Sequence, residues 1–236
     1  MIRAVLFDVD GTLYHQRSLR LLMARELGIA PWFQGAPTHV PRLWRALSAF
    51  RRVREELRTL GRPDEPLVRL QYTRAAERAG VSVSQMEAMV TEWVYQRPLK
   101  HLPRVVRAGM AEVLEELDAR GVRLGAFSDY PVAEKLDAMG LRARMSLELD
   151  ATAADINAFK PHPRGFEIAC AGWGLRPEQV LYVGDRVDVD ARAAAHAGMP
   201  CAIVGGATDG NSEWPHVRMR DIRELLAHVD GRGERS

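Results

Sequence analysis

The chain has 236 residues, of which 47% are hydrophobic, enough to bury one substantial core and a smaller second module. Its 33 Lys and Arg against 31 Asp and Glu give a formal charge of +2, too small to indicate a nucleic-acid or anionic-membrane partner. No apolar run approaches the roughly 20 residues of a membrane-spanning helix. Residues 2–7 are too short a run for the core of a signal peptide. Cys170 and Cys201 lie in apolar stretches without metal-ligand spacing, so we expect buried thiols in a cytoplasmic protein.

Short apolar runs typical of buried parallel strands recur along the chain. They cover residues 4–7, 122–127, 180–183 and 202–204. Helical patterns separate them, one of which starts at Met110 and stops at Gly121, while an alanine-rich one over residues 191–197 stops at Gly198. This alternation predicts an α/β fold with an open parallel sheet, helices on both faces, and ligands beyond the carboxyl ends of the strands.

Between about residues 14 and 99 the strand signals vanish and helical patterns replace them. One helix is predicted from an apolar stripe at helical spacing. The stripe consists of Leu43, Leu47, Phe50, Val53 and Leu57. Asp64 is the predicted cap of the next helix, and Ser84 with Glu87 forms a predicted capping box for a third.

The predicted organisation is therefore a core domain interrupted by a small all-helical domain. The core comprises residues 1–14 and 99–236, and the helical domain comprises residues 15–98. The tail at residues 230–236 is predicted to be disordered.

Two carboxylates follow the first predicted strand directly. Asp8 and Asp10 are two positions apart on an extended backbone, so their side chains project to the same side. Exposing two acids next to an apolar run is costly unless they are paired, and a divalent cation with oxygen ligands is a natural partner. An ordinary polar turn is the alternative, since acids and glycine are common in turns.

Two further signals lie after the second strand. Ser128 precedes a predicted helix with Pro131 in its first turn, so its hydroxyl and free backbone amides predict an anion site; a plain N-cap is the alternative. Lys160 precedes Pro161, which favours an extended backbone that aims the ammonium at one place, unless the pair is simply a surface turn.

An acidic loop follows the strand at residues 180–183. It contains Asp185, Asp188 and Asp190 within six positions of a strand-to-helix turn. One of these acids can cap the alanine-rich helix, but capping does not need three.

All these signals fall on one side of the predicted sheet and in a fixed order. The pattern resembles the haloacid dehalogenase superfamily of phosphohydrolases. Its members have an Asp-x-Asp-x-Thr motif, a Ser or Thr after the second strand, a Lys, and an acidic loop containing Gly-Asp. The resemblance covers about residues 1–14 and 99–236, and implies a Rossmann-like core with a helical cap inserted after the first motif.

The resemblance also implies roles for individual residues. Asp8 would be the covalent nucleophile, and Asp10 the acid that protonates the leaving oxygen and then the base that activates water. Lys160 would neutralise charge beside the nucleophile, and Thr12 and Ser128 would help to bind the phosphoryl oxygens. Attack requires Asp8 to be ionised and Asp10 to be protonated. We therefore expect a low pKa for Asp8 and a high pKa for Asp10.

A magnesium site is implied by the same resemblance. Asp8, the carbonyl of Asp10, and Asp185 would hold Mg²⁺. Asp190 would support the metal or the lysine, and Asp188 is the less usual candidate for that role.

The expected function is Mg²⁺-dependent hydrolysis of a small phosphorylated metabolite through an aspartyl-phosphate. Alternatives are a sugar phosphomutase or a haloacid dehalogenase of the same superfamily, or a non-catalytic binding protein on this fold. The oligomeric state is left open. The predicted cap has a basic run, interpreted either as substrate contacts or as a solvated helix face. The run consists of Arg42, Arg45, Arg51, Arg52 and Arg54.

Overall fold

A parallel sheet forms the centre of the protein. The structure is a computed structural model, and it describes residues 1–33, 40–205 and 213–230. The described strands pair in parallel in the order β3-β2-β1-β4-β5-β6. They are β1 Ala4–Phe7, β2 Arg123–Ser128, β3 Leu147–Asp150, β4 Val180–Gly184, β5 Cys201–Val204 and β6 Val217–Met219. The predicted strands are confirmed to within one residue, whereas β3 and β6 were missed.

The described part of the segment from Gln16 to Arg104, called the insert below, is helical, as predicted. Its elements are α1 Gln16–Phe33, α2 Val40–Leu57, α3 Leu67–Ala79, α4 Val83–Val90, a π-helical segment Thr91–Gln96 and a 3-10 helix Arg97–Arg104. The predicted apolar stripe runs along α2, where Leu47, Phe50, Val53 and Leu57 are buried. The division into domains at residues 15–98 stays a prediction.

The remaining helices cover both faces of the sheet, as predicted. They are α5 Met110–Ala119, α6 Ala133–Ala138, α7 Arg164–Trp173, α8 Arg192–His196 and α9 Leu225–Val229. Side chains alternate along the strands, so in β1 Ala4 and Leu6 join the apolar cluster that contains α7, whereas Val5 and Phe7 join the one that contains α5. The alanine-rich pattern begins earlier than predicted, as a π-helical turn over Val187–Ala191.

Helix α4 has a capping box two residues earlier than predicted. The Ser82 hydroxyl accepts the backbone N–H of Gln85, and the Gln85 side chain accepts the N–H of Ser82, both at 3.2 Å. The prediction of Ser84 with Glu87 is wrong because the helix already begins at Val83.

The N-terminus of helix α3 is capped by a side chain from the core, and not by a residue next to it in the sequence. The backbone N–H of Leu67 donates to Oδ1 of Asn157 at 2.7 Å. The predicted cap Asp64 is wrong, because Pro66 occupies the N-cap position and the acceptor comes from a distant loop. Asn157 has a φ of 47°, in the left-handed region that Asn tolerates better than most residues.

The insert and the core share one apolar cluster. Phe50 of α2 stacks on Tyr130 of the core with ring centroids 5.8 Å apart, and Gln71 of α3 donates to the Tyr130 hydroxyl at 2.8 Å. At the junction between the two parts, Tyr14 and Val106 form an antiparallel bridge. The insert is therefore held by buried contacts as well as by its two chain connections.

Both cysteines, Cys170 and Cys201, are buried and unpaired, as predicted. Among the described residues no helix has the length and hydropathy that crossing a membrane requires. Residues 231–236 of the tail predicted to be disordered lie outside the described residues.

Two glycines of α7 provide a matched test of this packing. A Cβ at Gly165 would lie 2.2 Å from Cζ of the fully buried Phe127, whereas a Cβ at Gly172 would be 3.7 Å from its nearest neighbour, Leu147. Gly165→Ala should lower the free energy of unfolding by about 1–3 kcal/mol through overpacking. Gly172→Ala should raise it by up to about 1 kcal/mol, because alanine is the better helix former. Urea denaturation measures both, and equal effects would contradict the packing described.

Candidate active site

The sheet brings the first and last acidic motifs together. Asp8 directly follows β1 and Asp185 directly follows β4, and the two strands are neighbours with Phe7 opposite Val183. On the other side of β1, β2 ends at Ser128. The strand order reverses between β1 and β4, and such a switch point forms a crevice at the carboxyl ends of the strands.

A buried ammonium group lies at the centre of this crevice. Lys160 Nζ donates to Asp8 Oδ1 at 2.6 Å, to Asp190 Oδ1 at 2.8 Å and to the Tyr182 hydroxyl at 2.9 Å. All four residues are buried. Burial by itself lowers a lysine pKa, but the charges of Asp190 and Asp8 prevail and raise the pKa of Lys160 well above its usual value. The lysine predicted from its proline neighbour is thus in contact with the predicted nucleophile.

Three carboxylates cluster around this lysine. Oxygens of Asp8, Asp185 and Asp190 lie within 4.8 Å of one another, a geometry that can hold a metal ion. Burial raises the pKa of Asp8 well above its usual value, opposed by Lys160 and reinforced by Asp190 and Asp185. Burial and the charge of Asp190 raise the pKa of Asp185 to about 6. With one ammonium against three carboxylates, the charge and the all-oxygen donor set suit a hard divalent cation such as Mg²⁺.

Asp190, and not Asp188, is the acid of the loop that contacts the lysine. Its Oδ1 also accepts from Tyr182 at 3.1 Å, and its Oδ2 accepts the backbone N–H groups of Asp185 at 3.2 Å and Arg186 at 3.0 Å. Asp188 is exposed and pairs with the Arg186 side chain at 2.6 Å. Asp190 therefore fixes the shape of the loop that presents Asp185.

Asp10 is held by groups that favour its charged form. Lys135 Nζ lies 2.6 and 2.7 Å from its two oxygens, Ser128 Oγ donates at 3.1 Å, and the Tyr14 hydroxyl also donates. Burial acts to raise the pKa of Asp10, but the charge and hydrogen bonds of Lys135 prevail and lower it to about 2. The two pKa values are separated, but in the direction opposite to the expected one: the pKa of Asp8 is raised and the pKa of Asp10 is lowered.

The two predicted phosphoryl-binding hydroxyls donate to the acids of the first motif. Thr12 is fully buried and its Oγ1 donates to Asp8 Oδ2 at 3.1 Å, so it supports the predicted nucleophile. Ser128 lines the pocket and donates to Asp10. Helix α6 begins at Ala133 with Val132 at its N-cap position, so the alternative of Ser128 as a plain N-cap is wrong. Their roles in phosphoryl binding stay predictions.

A glycine allows the first and last motifs to approach each other. Gly11 has a φ of 105°, and a Cβ there would lie 2.1 Å from Asp185 Oδ2. The Arg107 guanidinium donates to the carbonyls of Gly11 at 2.7 Å and Thr12 at 3.0 Å, which fixes this turn. Arg107 was not identified from the sequence.

The insert forms the opposite wall of the pocket. Arg54, from the predicted basic run, lines it together with Gln16, Arg20 and Arg58. Arg58 donates to the carbonyl of Lys160 and to the buried Asp129, so it joins the two walls. The exposed remainder of the run, Arg42, Arg45, Arg51 and Arg52, does not line the pocket among the described residues.

Lys135, Arg20 and Arg58 were missed because no motif marks them. Arg58 follows Arg54 by four residues, a helical spacing that places them on one face. Lys135 lies in the helix after the second strand, at the same edge of the sheet as the acids. The spacing of Arg58 from Arg54 and the position of Lys135 after the second strand are visible in the sequence. Neither feature reveals which acid the side chain contacts.

Comparisons with known proteins identify the family of this chain. A family model for haloacid dehalogenase-like hydrolases matches residues 2–198. The chain belongs to this family. Among its relatives, the glyceraldehyde 3-phosphate phosphatase of Methanopyrus kandleri is 30% identical over 215 residues, covering 84% of this chain and 82% of the relative. The phosphoglycolate phosphatase of Escherichia coli O157:H7 is 29% identical over 248 residues, covering 95% and 91%.

Solved structures of the family share the fold. A phosphatase from Thermococcus onnurineus superposes with a TM-score of 0.63 at 22% identity, covering 98% of this chain and 99% of the other. A 2-haloacid dehalogenase from Pseudomonas syringae pv. Tomato DC3000 superposes with a TM-score of 0.65 at 21% identity, with the same coverage. Since both activities occur on this fold, the fold alone does not separate them.

Mg²⁺ should stabilise the protein by relieving repulsion among the clustered acids. In the metal-free protein, Asp185→Asn should raise the Tm near neutral pH, because it removes a carboxylate whose pKa is raised to about 6. We expect on the order of 1 kcal/mol, or about 2–4 °C. A raised carboxyl pKa means that protonation favours the folded state, so this advantage is present above about pH 6 and shrinks toward pH 4.

Thermal denaturation with and without Mg²⁺, near neutral pH and at about pH 5, measures these effects. Mg²⁺ should raise the wild-type Tm more at neutral pH than at about pH 5, because it competes with fewer protons for the carboxylates at neutral pH. The shift should be largely lost in Asp185→Asn and kept in Asp188→Asn, whose carboxylate is outside the cluster. Equal Mg²⁺ shifts in all three proteins would argue against this metal site.

Proposed function

We propose that this protein is a Mg²⁺-dependent phosphatase that hydrolyses a small phosphorylated metabolite through an aspartyl-phosphate on Asp8. The observation that carries the proposal is the contact of Asp8 with both Lys160 and Thr12, next to Asp185 and in the same pocket as Asp10. One carboxylate is thus held for attack, with a second positioned for proton transfer. The phosphatase names of the two relatives support the same reaction class.

The proposed metal ligands are the carboxylates of Asp8 and Asp185 and the backbone carbonyl of Asp10. Asp190 already accepts four hydrogen bonds, two at each oxygen, so it orients Lys160 and the loop rather than serving as a principal ligand. Bound Mg²⁺ would polarise the phosphoryl group and offset the charge that develops in transfer.

In the first step, a carboxylate oxygen of Asp8 attacks phosphorus and the bond to the leaving oxygen breaks. Burial disfavours the ionised form that attack requires, and Lys160 opposes this effect without overcoming it, so a bound cation would supply the further positive charge that ionises Asp8. A carboxylate nucleophile divides one difficult displacement into two easier ones. Thr12 holds the second oxygen of the nucleophile, which limits its rotation.

Asp10 would give a proton to the leaving oxygen and later take one from water. Since Lys135 keeps it ionised in this arrangement, the acid role requires a proton taken up with the substrate. A phosphoester monoanion carries such a proton, because its second pKa is about 6. In the second step water attacks phosphorus, Asp10 accepts the water proton, the bond to Asp8 breaks, and inorganic phosphate leaves.

The other activities considered from the sequence differ in what they need from this site. A dehalogenase would use Asp8 on carbon and would need neither a metal nor an acid at Asp10. A phosphomutase would use the same groups and return the phosphoryl group to a sugar instead of to water. The acidic cluster around Asp185 and the pocket position of Asp10 favour phosphoryl transfer, and the relatives' names favour water as the acceptor. The cytoplasmic location stays a prediction.

Both acids of the first motif should be essential. Asp8→Asn and Asp10→Asn should each lower kcat for p-nitrophenyl phosphate by at least about 100-fold, because nucleophile and proton donor act as a unit. Asp188→Asn is the matched control, since its side chain is exposed and contacts Arg186 outside the acid cluster. Retention of more than a tenth of wild-type kcat by a folded Asp8→Asn or Asp10→Asn variant would refute the role assigned to that residue.

Activity should depend on Mg²⁺ and recover poorly with Zn²⁺, because the donor set contains oxygen atoms and no sulfur or imidazole. The measurement is phosphate release after exhaustive chelation, followed by addition of each metal. Full turnover in the chelated protein would remove the metal from the mechanism and favour the dehalogenase alternative, which release of halide from 2-haloacids then tests.

A further inference from the structure

The insert wall of the pocket carries more positive charge than its own acids neutralise. Arg20 of α1 and Arg54 of α2 both line the pocket that contains Asp8 and Asp10. Arg20 is exposed, and among the described residues its hydrogen-bond partner is the neutral amide oxygen of Gln16, at 2.7 Å. Its charge therefore faces the pocket without a carboxylate partner in the part of the chain that the structure describes.

Arg54 is more firmly held but shares its acid with two other cations. It donates to Glu55 at 2.9 and 3.1 Å and lies 5.5 Å above the centre of the Tyr130 ring. Glu55 also pairs with Arg58 at 3.0 Å and with Arg186 at 3.6 Å. A single exposed carboxylate thus serves three guanidinium groups.

A third arginine adds to this cluster. Arg51 has no ion-pair partner among the described residues. Partial desolvation, together with the positive charges of Arg20 and Arg54, lowers its pKa, although the residue as a whole is exposed. Like charges held together in this way are unfavourable unless an anion joins them.

The charges around this wall can be counted. The cations are Arg20, Arg51, Arg54, Arg58 and Arg186, and the acids that accompany them are Glu55, Asp129 and Asp188. Five positive charges against three negative ones leave two. Arg58 is committed to Asp129 and to the Lys160 carbonyl, and Arg51 lies outside the pocket, so the charge available to a ligand in the pocket is that of Arg20 and Arg54.

This surplus lies on the side of the pocket where the leaving group would extend. The transferred phosphoryl group must lie against Asp8 and Lys160, on the core wall. Arg20 lines the same pocket as Asp10, the residue assigned to the leaving oxygen, and it does so from α1 of the insert.

We propose that the substrate carries a second anionic group, a carboxylate or a second phosphate, which Arg20 and Arg54 bind. This inference rests on the proposed phosphatase function. Guanidinium groups match both anions through paired, charge-assisted hydrogen bonds. A neutral group at that position leaves the arginine cluster uncompensated, so the enzyme discriminates against substrates whose only charged group is the phosphoryl group.

The test compares substrate pairs that differ in the second charge. Carboxymethyl phosphate and ethyl phosphate differ by a carboxylate in place of a methyl group, and propane-1,3-diol bisphosphate and propyl phosphate differ by a second phosphate. The wild type should favour the more highly charged member of one pair by about tenfold or more in kcat/KM, and the preferred pair identifies the anion. Arg20→Gln and Arg54→Gln should each reduce that selectivity by about tenfold, while Arg54→Lys should retain part of it.

Arg52→Gln and Arg192→Gln are the controls. Arg52 lies on the same helix as Arg54 but outside the pocket, and Arg192 lines a neighbouring cleft of about 450 Å³. Neither should change the selectivity. Selectivity that depends on Arg192 instead would overturn the assignment to Arg20 and Arg54. So would an equal loss for both members of a pair, which would mean that the arginines act on the transferred phosphoryl group.

The two proposals fail in different ways. A wild type that hydrolyses the charged and neutral members of both pairs equally well overturns the second anionic group and leaves the phosphatase function standing. A folded, Mg²⁺-supplied wild type that hydrolyses no phosphomonoester overturns the phosphatase function and this inference with it.

Discussion

The buried contact of Lys160 with Asp8 and Asp190 is the constraint on which the rest of the site depends. Removing charged groups from water costs several kcal/mol per ion, and only close pairing offsets that cost. The three side chains are 2–6% exposed and come from three separate segments, the end of β1, the loop after β3 and the loop after β4. Loss of the ammonium would leave buried carboxylates unpaired, at a cost of about 3–5 kcal/mol. The same contact that orients the proposed nucleophile therefore also holds the core loops together.

The two walls of the pocket carry opposite charge surpluses. The core wall has more carboxylates than ammonium groups, which suits a divalent cation, while the insert wall has more guanidinium groups than carboxylates. Arg58 and Asp129 join the walls through a buried pair. A substrate that is anionic at both ends would meet favourable charge on each wall, so binding and chemistry would use the same electrostatic arrangement.

The insert owes part of its stability to the core. Asn157 accepts the first backbone N–H of α3, and its side-chain amide donates to the carbonyls of Pro63 at 2.8 Å and Glu65 at 3.2 Å. Tyr130 packs against Phe50 and accepts from Gln71. These contacts anchor α2 and α3 on the core segments that follow β2 and β3, so the position of Arg54 is coupled to the loop after β2 that contains Asp129 and Tyr130.

The sequence by itself determined the elements whose signal is local. The apolar runs of β1, β2, β4 and β5 and the stripe on α2 follow from burial and periodicity, and the acids after the strands converge because parallel strands end at one edge. The strand β3 escaped prediction because all four of its residues are only half-buried, and β6 because it is three residues long. Only the tertiary structure shows which residue caps α3. It also shows that Lys135 contacts Asp10, and that Asp190 rather than Asp188 contacts the buried lysine. Each depends on a polar partner from a distant segment, and no local pattern encodes which partner a buried charge or backbone amide will find.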